Sequence, residues 1–278
     1  MRQRVSFTIV LGLVVAAHSV FAKEGRGWLV VVGGGSRPRP AVEEFVRLCE
    51  GGPILVITSA SAAPEESGPA AVRQFQEAGG QQVCWLHVAG PDTANADSTV
   101  GRITQARGVF FTGGVQTRFM ERIGGTRAEA ALRALYFERR GVVGGTSAGA
   151  AVLSEVMITG DGDLGKLERG NIATARGLGL LTNCIVDQHF VARQRNNRLL
   201  SLVIEKRLVG VGIDESTAIV YYPDDTFRVY GDGSVLVYDP RKALVPHAPP
   251  SKRLTMEGIR LTVLKDGQVF DLRRGRVR

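Results

Sequence analysis

Ser147 stands in Gly144-Gly145-Thr146-Ser147-Ala148-Gly149-Ala150, one hydroxyl among small residues directly after the apolar run Gly141-Val142-Val143. Gly145, Ser147 and Gly149 fit G-x-S-x-G, the strand-to-helix elbow on which a serine is held strained with its oxygen exposed. Glycines on either side let the backbone turn sharply and leave room for a substrate carbonyl. Ala148 would then offer a backbone N–H at a helix start, where amides without helical partners favour developing negative charge. A glycine-rich loop with an incidental serine is the competing reading, and five residues alone do not decide between them.

A nucleophilic serine needs a base, and the base an acid to orient it. After the first 22 residues the chain holds three histidines, His87, His189 and His247. His87 ends the run Val83-Cys84-Trp85-Leu86 and suits a satisfied core or rim position. His247 lies in the proline-rich Val245-Pro246-His247-Ala248-Pro249-Pro250. His189 closes Cys184-Ile185-Val186-Asp187-Gln188-His189, where polar residues crowd the end of an apolar run, as functional residues do at strand ends. For the acid, Val209-Gly210-Val211-Gly212-Ile213 finishes in Asp214-Glu215, and either carboxylate could hold an imidazole. Arg193, Arg195 and Arg198 follow His189 closely, with Arg195 and Arg198 on one helix face. Arginines so placed could clamp carboxylates bidentately, although a solvated basic face is the plainer reading.

These side chains need a scaffold that gathers strand ends. Short continuous runs at Trp28–Val32, Ile54–Ile57, Val83–Leu86, Val109–Phe111 and Val142–Val143 alternate with helix-like stretches around 40–50, 66–79, 97–106 and 126–140. Continuous β-rich runs suit strands buried on both faces, so the pattern predicts an α/β fold with a mostly parallel sheet flanked by helices. In such sheets the chemistry collects at the carboxyl ends of the strands. Gly33-Gly34-Gly35 does not match G-x-G-x-x-G, and Pro38 and Pro40 follow, so no dinucleotide cofactor is expected and a tight turn at the sheet edge is. Phe111-Thr112-Gly113-Gly114 ends the fourth strand, and its diglycine could bring a second N–H beside the elbow.

Met1-Arg2-Gln3-Arg4, an apolar run from Val5 to Ala17, and Val20-Phe21-Ala22 read as a cleavable signal peptide, residues 1–22. This predicts an exported protein, secreted or periplasmic, with residues 23–278 forming a single domain and no membrane association after cleavage. The leader holds two arginines and no acids, so the net charge falls from +8 to +6 on its removal. The basic residues are scattered, which argues against nucleic acid as partner. Cys49, Cys84 and Cys184 permit at most one internal disulfide, their apolar surroundings predict three core residues, and no Cys/His cluster suggests a metal.

Taken together, the chain resembles the cyanophycinase family of serine peptidases, which also contains aspartyl dipeptidase. The resemblance rests on Gly145-Thr146-Ser147-Ala148-Gly149-Ala150, on Asp187-Gln188-His189-Phe190 with Arg193, Arg195, Arg198 and Leu199, and on Gly212-Ile213-Asp214-Glu215 with Thr217-Ala218. Phe111-Thr112-Gly113-Gly114 with Gln116 supports it, and the whole covers about Trp28 to Tyr222. It implies Ser147 as nucleophile, His189 as general base, Glu215 as orienting carboxylate, and the N–H groups of Gly114 and Ala148 as oxyanion donors. It implies substrate contacts by Gln116, Asp187, Gln188, Arg193, Arg195 and Arg198, and a fold like class I glutamine amidotransferases. The implied substrate is cyanophycin, a polyaspartate bearing arginine on each β-carboxyl, released as β-aspartyl-arginine without metal or cofactor. A homodimer is left open. Where the family pattern Gly-Gly-Asp-Gln has an acid, this chain has Val115, which favours other aspartyl or isoaspartyl peptides as the alternative substrate.

Residues 223–278 carry no family motif. Phe227–Tyr230 and Val235–Tyr238 around Gly231-Asp232-Gly233-Ser234 predict one β-hairpin, and Leu261–Leu264 with Val269–Leu272 around Asp266-Gly267 a second, followed by a basic tail from Arg273 to Arg278. A lipase-type α/β-hydrolase is disfavoured by chain order, since that class places histidine after the acid and His189 precedes Glu215. An exported binding protein with a retired site has no chemical need for serine, histidine and acid together.

Overall fold

The computed structural model describes residues 25–160, 162–245 and 251–278. The signal-peptide reading of residues 1–22 and His247 lie outside the described residues. The first half alternates strand and helix: β1 (Trp28–Val32), α1 (Arg39–Leu48), β2 (Ile54–Ile57), α2 (Pro64–Glu77), β3 (Val83–Leu86), α3 (Pro91–Asn95), α4 (Asp97–Gln105), β4 (Gly108–Phe111), α5 (Gln116–Ile123), α6 (Arg127–Phe137) and β5 (Val142–Thr146). Next come α7 (Ala148–Ala151), β6 (Val156–Ile158), β7 (Thr174–Arg176), β8 (Cys184–Gln188), α8 (Asn196–Lys206) and β9 (Val209–Ile213). The chain closes with β10 (Thr217–Tyr221), β11 (Thr226–Gly231), β12 (Val235–Asp239), β13 (Arg260–Leu264), β14 (Val269–Asp271) and β15 (Arg276–Val277).

Nine strands form one sheet in the order β15-β14-β11-β10-β1-β5-β4-β2-β3. From β1 to β3 the pairing is parallel, and β10, β11, β14 and β15 add an antiparallel wing. The parallel strands are apolar on both faces because both are covered. Val30, Val32, Val56 and Phe110 pack against Phe45 of α1 and Phe75 of α2. Leu29, Val31, Ile57 and Phe111 pack the other way, against Phe119 of α5, Leu132 of α6, and Val186, Val211 and Val237 of a second sheet. Burying each such side chain contributes roughly 1.5–3 kcal/mol. Aromatic contacts among Phe45, Phe75 and Phe110, with centroids 5.1 to 5.7 Å apart, lock α1 and α2 onto the sheet.

The second sheet has the order β13-β12-β9-β8, and α8 covers its far face through Leu199, Leu202 and Val203. Here the sequence expectation fails. Neither predicted C-terminal β-hairpin exists: β11 pairs with β10 and β14 in the large sheet, whereas β12 pairs with β9 and β13 in the small one. The connector is pinned instead to the segment leaving β9, through Asp232 N–H to Ser216 O, Gly233 N–H to Thr217 Oγ1 and Asp214 N–H to Ser234 O. Two chain segments therefore cross between the sheets side by side, one of them carrying Asp214 and Glu215. The residues after Arg273 are not a free tail either, since Arg276–Val277 pairs with β14 and Arg278 bonds Asp271.

Two further expectations need correction. β1 is the middle strand of the large sheet, so the Gly33–Gly35 turn lies at its centre and not at an edge. Cys49 and Cys184 are buried, but Cys84, on the edge strand β3, is exposed; all three are free thiols.

Candidate active site

β5 lies between β1 and β4, and the chain turns at its end into α7. Ser147 occupies that turn with φ 54° and ψ −116°, a conformation that costs about 1–3 kcal/mol for a residue with a side chain. The neighbouring structure holds it there. Ser147 N–H donates to Val32 O at 3.0 Å, and Ser147 O accepts from the N–H groups of Ala150 and Ala151. The flanking glycines are required sterically, because a Cβ on Gly145 would overlap Gly149 O and one on Gly149 would overlap Phe111 O.

β8 and β9 are parallel neighbours in register Gln188↔Ile213, so the residues that follow each of them emerge side by side. Ser147 Oγ lies 2.8 Å from His189 Nε2, and His189 Nδ1 lies 2.5 Å from Glu215 Oε1. A carboxylate only accepts, so Nδ1 carries the proton and Nε2 is left to accept from the serine hydroxyl. Of the two acids open from sequence, Glu215 faces the imidazole, and Asp214 Oδ1 accepts from Val191 N–H at 3.1 Å and Ala192 N–H at 2.9 Å. His189 is itself left-handed, with φ 50°, and its N–H donates to Gly33 O at 2.7 Å.

The sequence reading passed over the Gly33–Gly35 turn. Gly34 O accepts from Ser216 N–H at 2.9 Å, and the His189 ring lies directly on Gly34, where any Cβ would overlap it. Gly33 is equally tight against Asp214 O. At the end of the central strand Gly34 thus forms the floor under the imidazole, while Gly33 and Gly35 pack against the Ile213–Ser216 segment that carries Glu215. The signal was the run of three itself, read as a generic turn because its partner lay about 150 residues away in sequence.

Gly113 and Gly114 follow β4, and Gly113 abuts the serine: a Cβ on it would stand 3.5 Å from Ser147 Cβ. Gly114 has φ +140° and no room for a side chain beside Ala60 O. Ala148 begins α7, where an N–H has no acceptor within the helix. Gly114 and Ser147 open into a cavity of about 200 Å³ whose lining is almost wholly polar. Gln116, Gln188, Arg193, Arg195 and Arg198 line it, and so do Thr159 and Gly160, which no sequence motif marked.

Asp187, expected among the substrate contacts, does not face this cavity. Adjacent strand residues point to opposite faces, so Gln188 reaches the cavity and Asp187 turns inward, where its side chain is fully buried. Arg198 grips it with two donors, Nε to Oδ2 at 2.9 Å and Nη2 to Oδ1; Gln188 N–H adds a bond of 2.8 Å, and Arg195 stands 4.0 Å away. Burial pushes the Asp187 carboxyl upward, against the opposing pull of Arg198 and Arg195. Arg195 also donates to Gln188 O at 2.7 Å and to its side-chain oxygen, and Gln116 Nε2 donates to Ile158 O at 3.0 Å. Arg193 is exposed at the rim. Val115 sits at the start of α5, 41% exposed, and is not part of the cavity lining.

His87 takes no part. Thr58 Oγ1 and Arg122 Nη1 flank its ring at 3.1 and 3.3 Å, and burial, with Arg122, lowers its pKa. Among the described residues no group of His, Cys, Asp or Glu side chains is disposed to hold a metal ion, and no helix is long and apolar enough to cross a membrane.

Comparison with known proteins gives consistent matches. The sequence pattern of Peptidase family S51 matches residues 29–229. A cyanophycinase of Synechococcus elongatus is 35% identical over 257 residues, covering 89% of this chain and 80% of that one. A cyanophycinase of Geminocystis herdmanii is 31% identical over 255 residues, covering 88% and 94%. In structure, a peptidase from an acI-B1 Actinobacterium superposes with a TM-score of 0.63 at 20% identity, covering 88% of this chain and 97% of that one, which speaks for the fold alone.

Proposed function

This chain belongs to peptidase family S51 and is a serine-type peptidase, and on that premise we propose that it is an exported exopeptidase that cleaves cyanophycin to β-aspartyl-arginine dipeptides. The observation that carries the catalytic part is the unbroken chain from Ser147 Oγ through His189 to Glu215, with contacts of 2.8 and 2.5 Å on a strained elbow. His189 Nε2 takes the hydroxyl proton as Ser147 Oγ bonds the α-peptide carbonyl carbon between two aspartates. The tetrahedral oxyanion is received by the N–H groups of Gly114 and Ala148. The C–N bond breaks as His189 returns the proton to the leaving amine. Water then attacks the acyl carbon, giving a proton to His189, and as the C–Oγ bond breaks His189 passes that proton to Ser147 Oγ and the free acid leaves. Glu215 keeps the imidazole in the required tautomer and offsets its positive charge.

The cavity supports this substrate. Its charged groups are arginines, suited to carboxylates, and the free carboxylates of cyanophycin are those of the arginines it carries. Purified protein should release β-aspartyl-arginine from cyanophycin, and Ser147→Ala should not.

A second reading, hydrolysis of other aspartyl or isoaspartyl peptides, is favoured by one observation: Asp187, the acid that could have met a substrate guanidinium, is held by Arg198, and Val115 supplies none. Turnover of aspartyl dipeptides with cyanophycin left intact would select it. Export is tested by the N-terminal sequence of protein recovered from periplasm or medium, expected to begin at Lys23.

A further inference from the structure

The mechanism leaves one acid of the Asp214-Glu215 pair without a role. The segment His189–Arg195 has a left-handed residue at its start and another just before its end, His189 at φ 50° and Gln194 at φ 53°, so its shape is not one the chain adopts unaided. Inside the segment Arg193 N–H donates to His189 O at 3.0 Å, Gln194 N–H to Val191 O at 3.0 Å and Arg195 N–H to Phe190 O at 2.9 Å. These bonds make the turn one rigid piece joining the imidazole to Arg193 and Arg195 of the cavity. What ties its outer part to the rest of the protein is Asp214, whose Oδ1 accepts both Val191 N–H and Ala192 N–H.

Asp214 is well placed as an anchor. Its own N–H donates to Ser234 O at 3.2 Å, and its carbonyl lies against Gly33. It stands next to Glu215 in the chain, so whatever it fixes is held in register with the carboxylate that orients His189. A charged acceptor on two successive amides is about twice as strong as a neutral one.

We propose that Asp214 is a positioning residue that clips the His189–Arg195 turn, setting the base against Ser147 and Arg193 against the substrate in one movement. The proposal rests on the serine-peptidase reading of the site. Misplacement by about 1 Å costs on the order of 100-fold in rate, so Asp214→Ala should slow the reaction of Ser147 with a serine-directed phosphonate by roughly 10–100-fold. It should also raise KM, because Arg193 moves with the turn. Asp214→Asn keeps an oxygen acceptor without the charge, so it should lie between wild type and Asp214→Ala in both readouts. A merely structural role would lower the unfolding midpoint and leave KM and labelling rate of the folded fraction unchanged.

The experiment measures phosphonate labelling, kcat and KM for wild type, Asp214→Ala, Asp214→Asn and Ser147→Ala, with circular dichroism on each. Slower labelling and higher KM in folded Asp214→Ala, partly restored in Asp214→Asn, supports the proposal. If Asp214→Ala does not fold, Asp214→Asn decides: both readouts shifted supports it, and wild-type values in both overturn it. If Ser147→Ala still turns over substrate, the serine reading itself fails. An inactive Ser147→Ala beside wild-type behaviour of both Asp214 variants overturns this inference alone.

Discussion

The imidazole of His189 lies against the backbone of Gly34 so closely that a Cβ built on Gly34 would stand 2.2 Å from Cε1, 2.4 Å from Nε2 and 2.7 Å from Nδ1. Gly34→Ala must therefore displace the ring from Ser147. The expected outcome is a loss of about 100-fold in kcat, with KM little changed because the imidazole can swing on its own side-chain torsions while the backbone of the His189–Arg195 turn stays clipped in place. Steady-state kinetics on folded protein checks this, and wild-type kcat would show that the ring has room to move without cost.

Asp187 and Arg198 form a pair that is buried on both sides. Removing the acid by Asp187→Ala leaves a buried guanidinium without its main partner, which costs about 3–5 kcal/mol of stability. Arg198 would also lose its aim into the cavity, so KM should rise more than kcat falls. Urea unfolding with kinetics on the folded protein measures both, and Asp187→Asn should be milder because the amide still offers an oxygen.

The thiols differ in reach. Burial pushes those of Cys49 and Cys184 up to about 12, while Cys84 is exposed on an edge strand. A thiol reagent near neutral pH should modify a single cysteine quickly in folded protein, abolished by Cys84→Ser, and all three after denaturation. Rapid reaction of a second thiol in the native state would contradict this arrangement.

Asp225 predicts an acid-sensitive element. Burial alone would raise its pKa, but bonds from Tyr221 OH, Arg26 and Arg273 outweigh burial and hold the carboxyl well below the usual carboxylate range. Because the folded value is depressed, the unfolded chain binds the proton more readily, and stability rises with pH through that window. The contribution is complete above the unfolded value of about 3.9 and is lost as pH falls below it. The urea midpoint of wild type should exceed that of Asp225→Asn by a constant margin from about pH 6 to about pH 4, and that margin should shrink as the pH falls further toward about pH 2.

How much of this was legible in the sequence depends on whether a residue's partner is local. Ser147, His189 and the pair Asp214-Glu215 each follow closely on an apolar run, and chemistry collects where strands end, so these candidates could be picked before any coordinates. The choice of Glu215 over Asp214 came from the family resemblance, and that Ser147 belongs to one sheet and His189 and Glu215 to another was not legible. Side-chain direction was harder. Asp187 and Gln188 read as one polar cluster, yet strand alternation sends only Gln188 into the cavity. The strand pairs near residues 231 and 266 have the local pattern of hairpins, but local pattern does not reveal which of two sheets each strand joins. Gly33–Gly35, Thr159 and Gly160 gain meaning only from residues distant in sequence, which composition and spacing do not record.

The central claim is that His189 activates Ser147, and the most direct measurement is the rate of covalent labelling of Ser147 by a serine-directed phosphonate in wild type and in His189→Ala, read by mass spectrometry of the intact protein and its peptides. The expected result is a single adduct on Ser147 in wild type and a rate lower by on the order of 1,000-fold or more in folded His189→Ala. Equal labelling rates in the two proteins, or an adduct on another residue, would contradict the account.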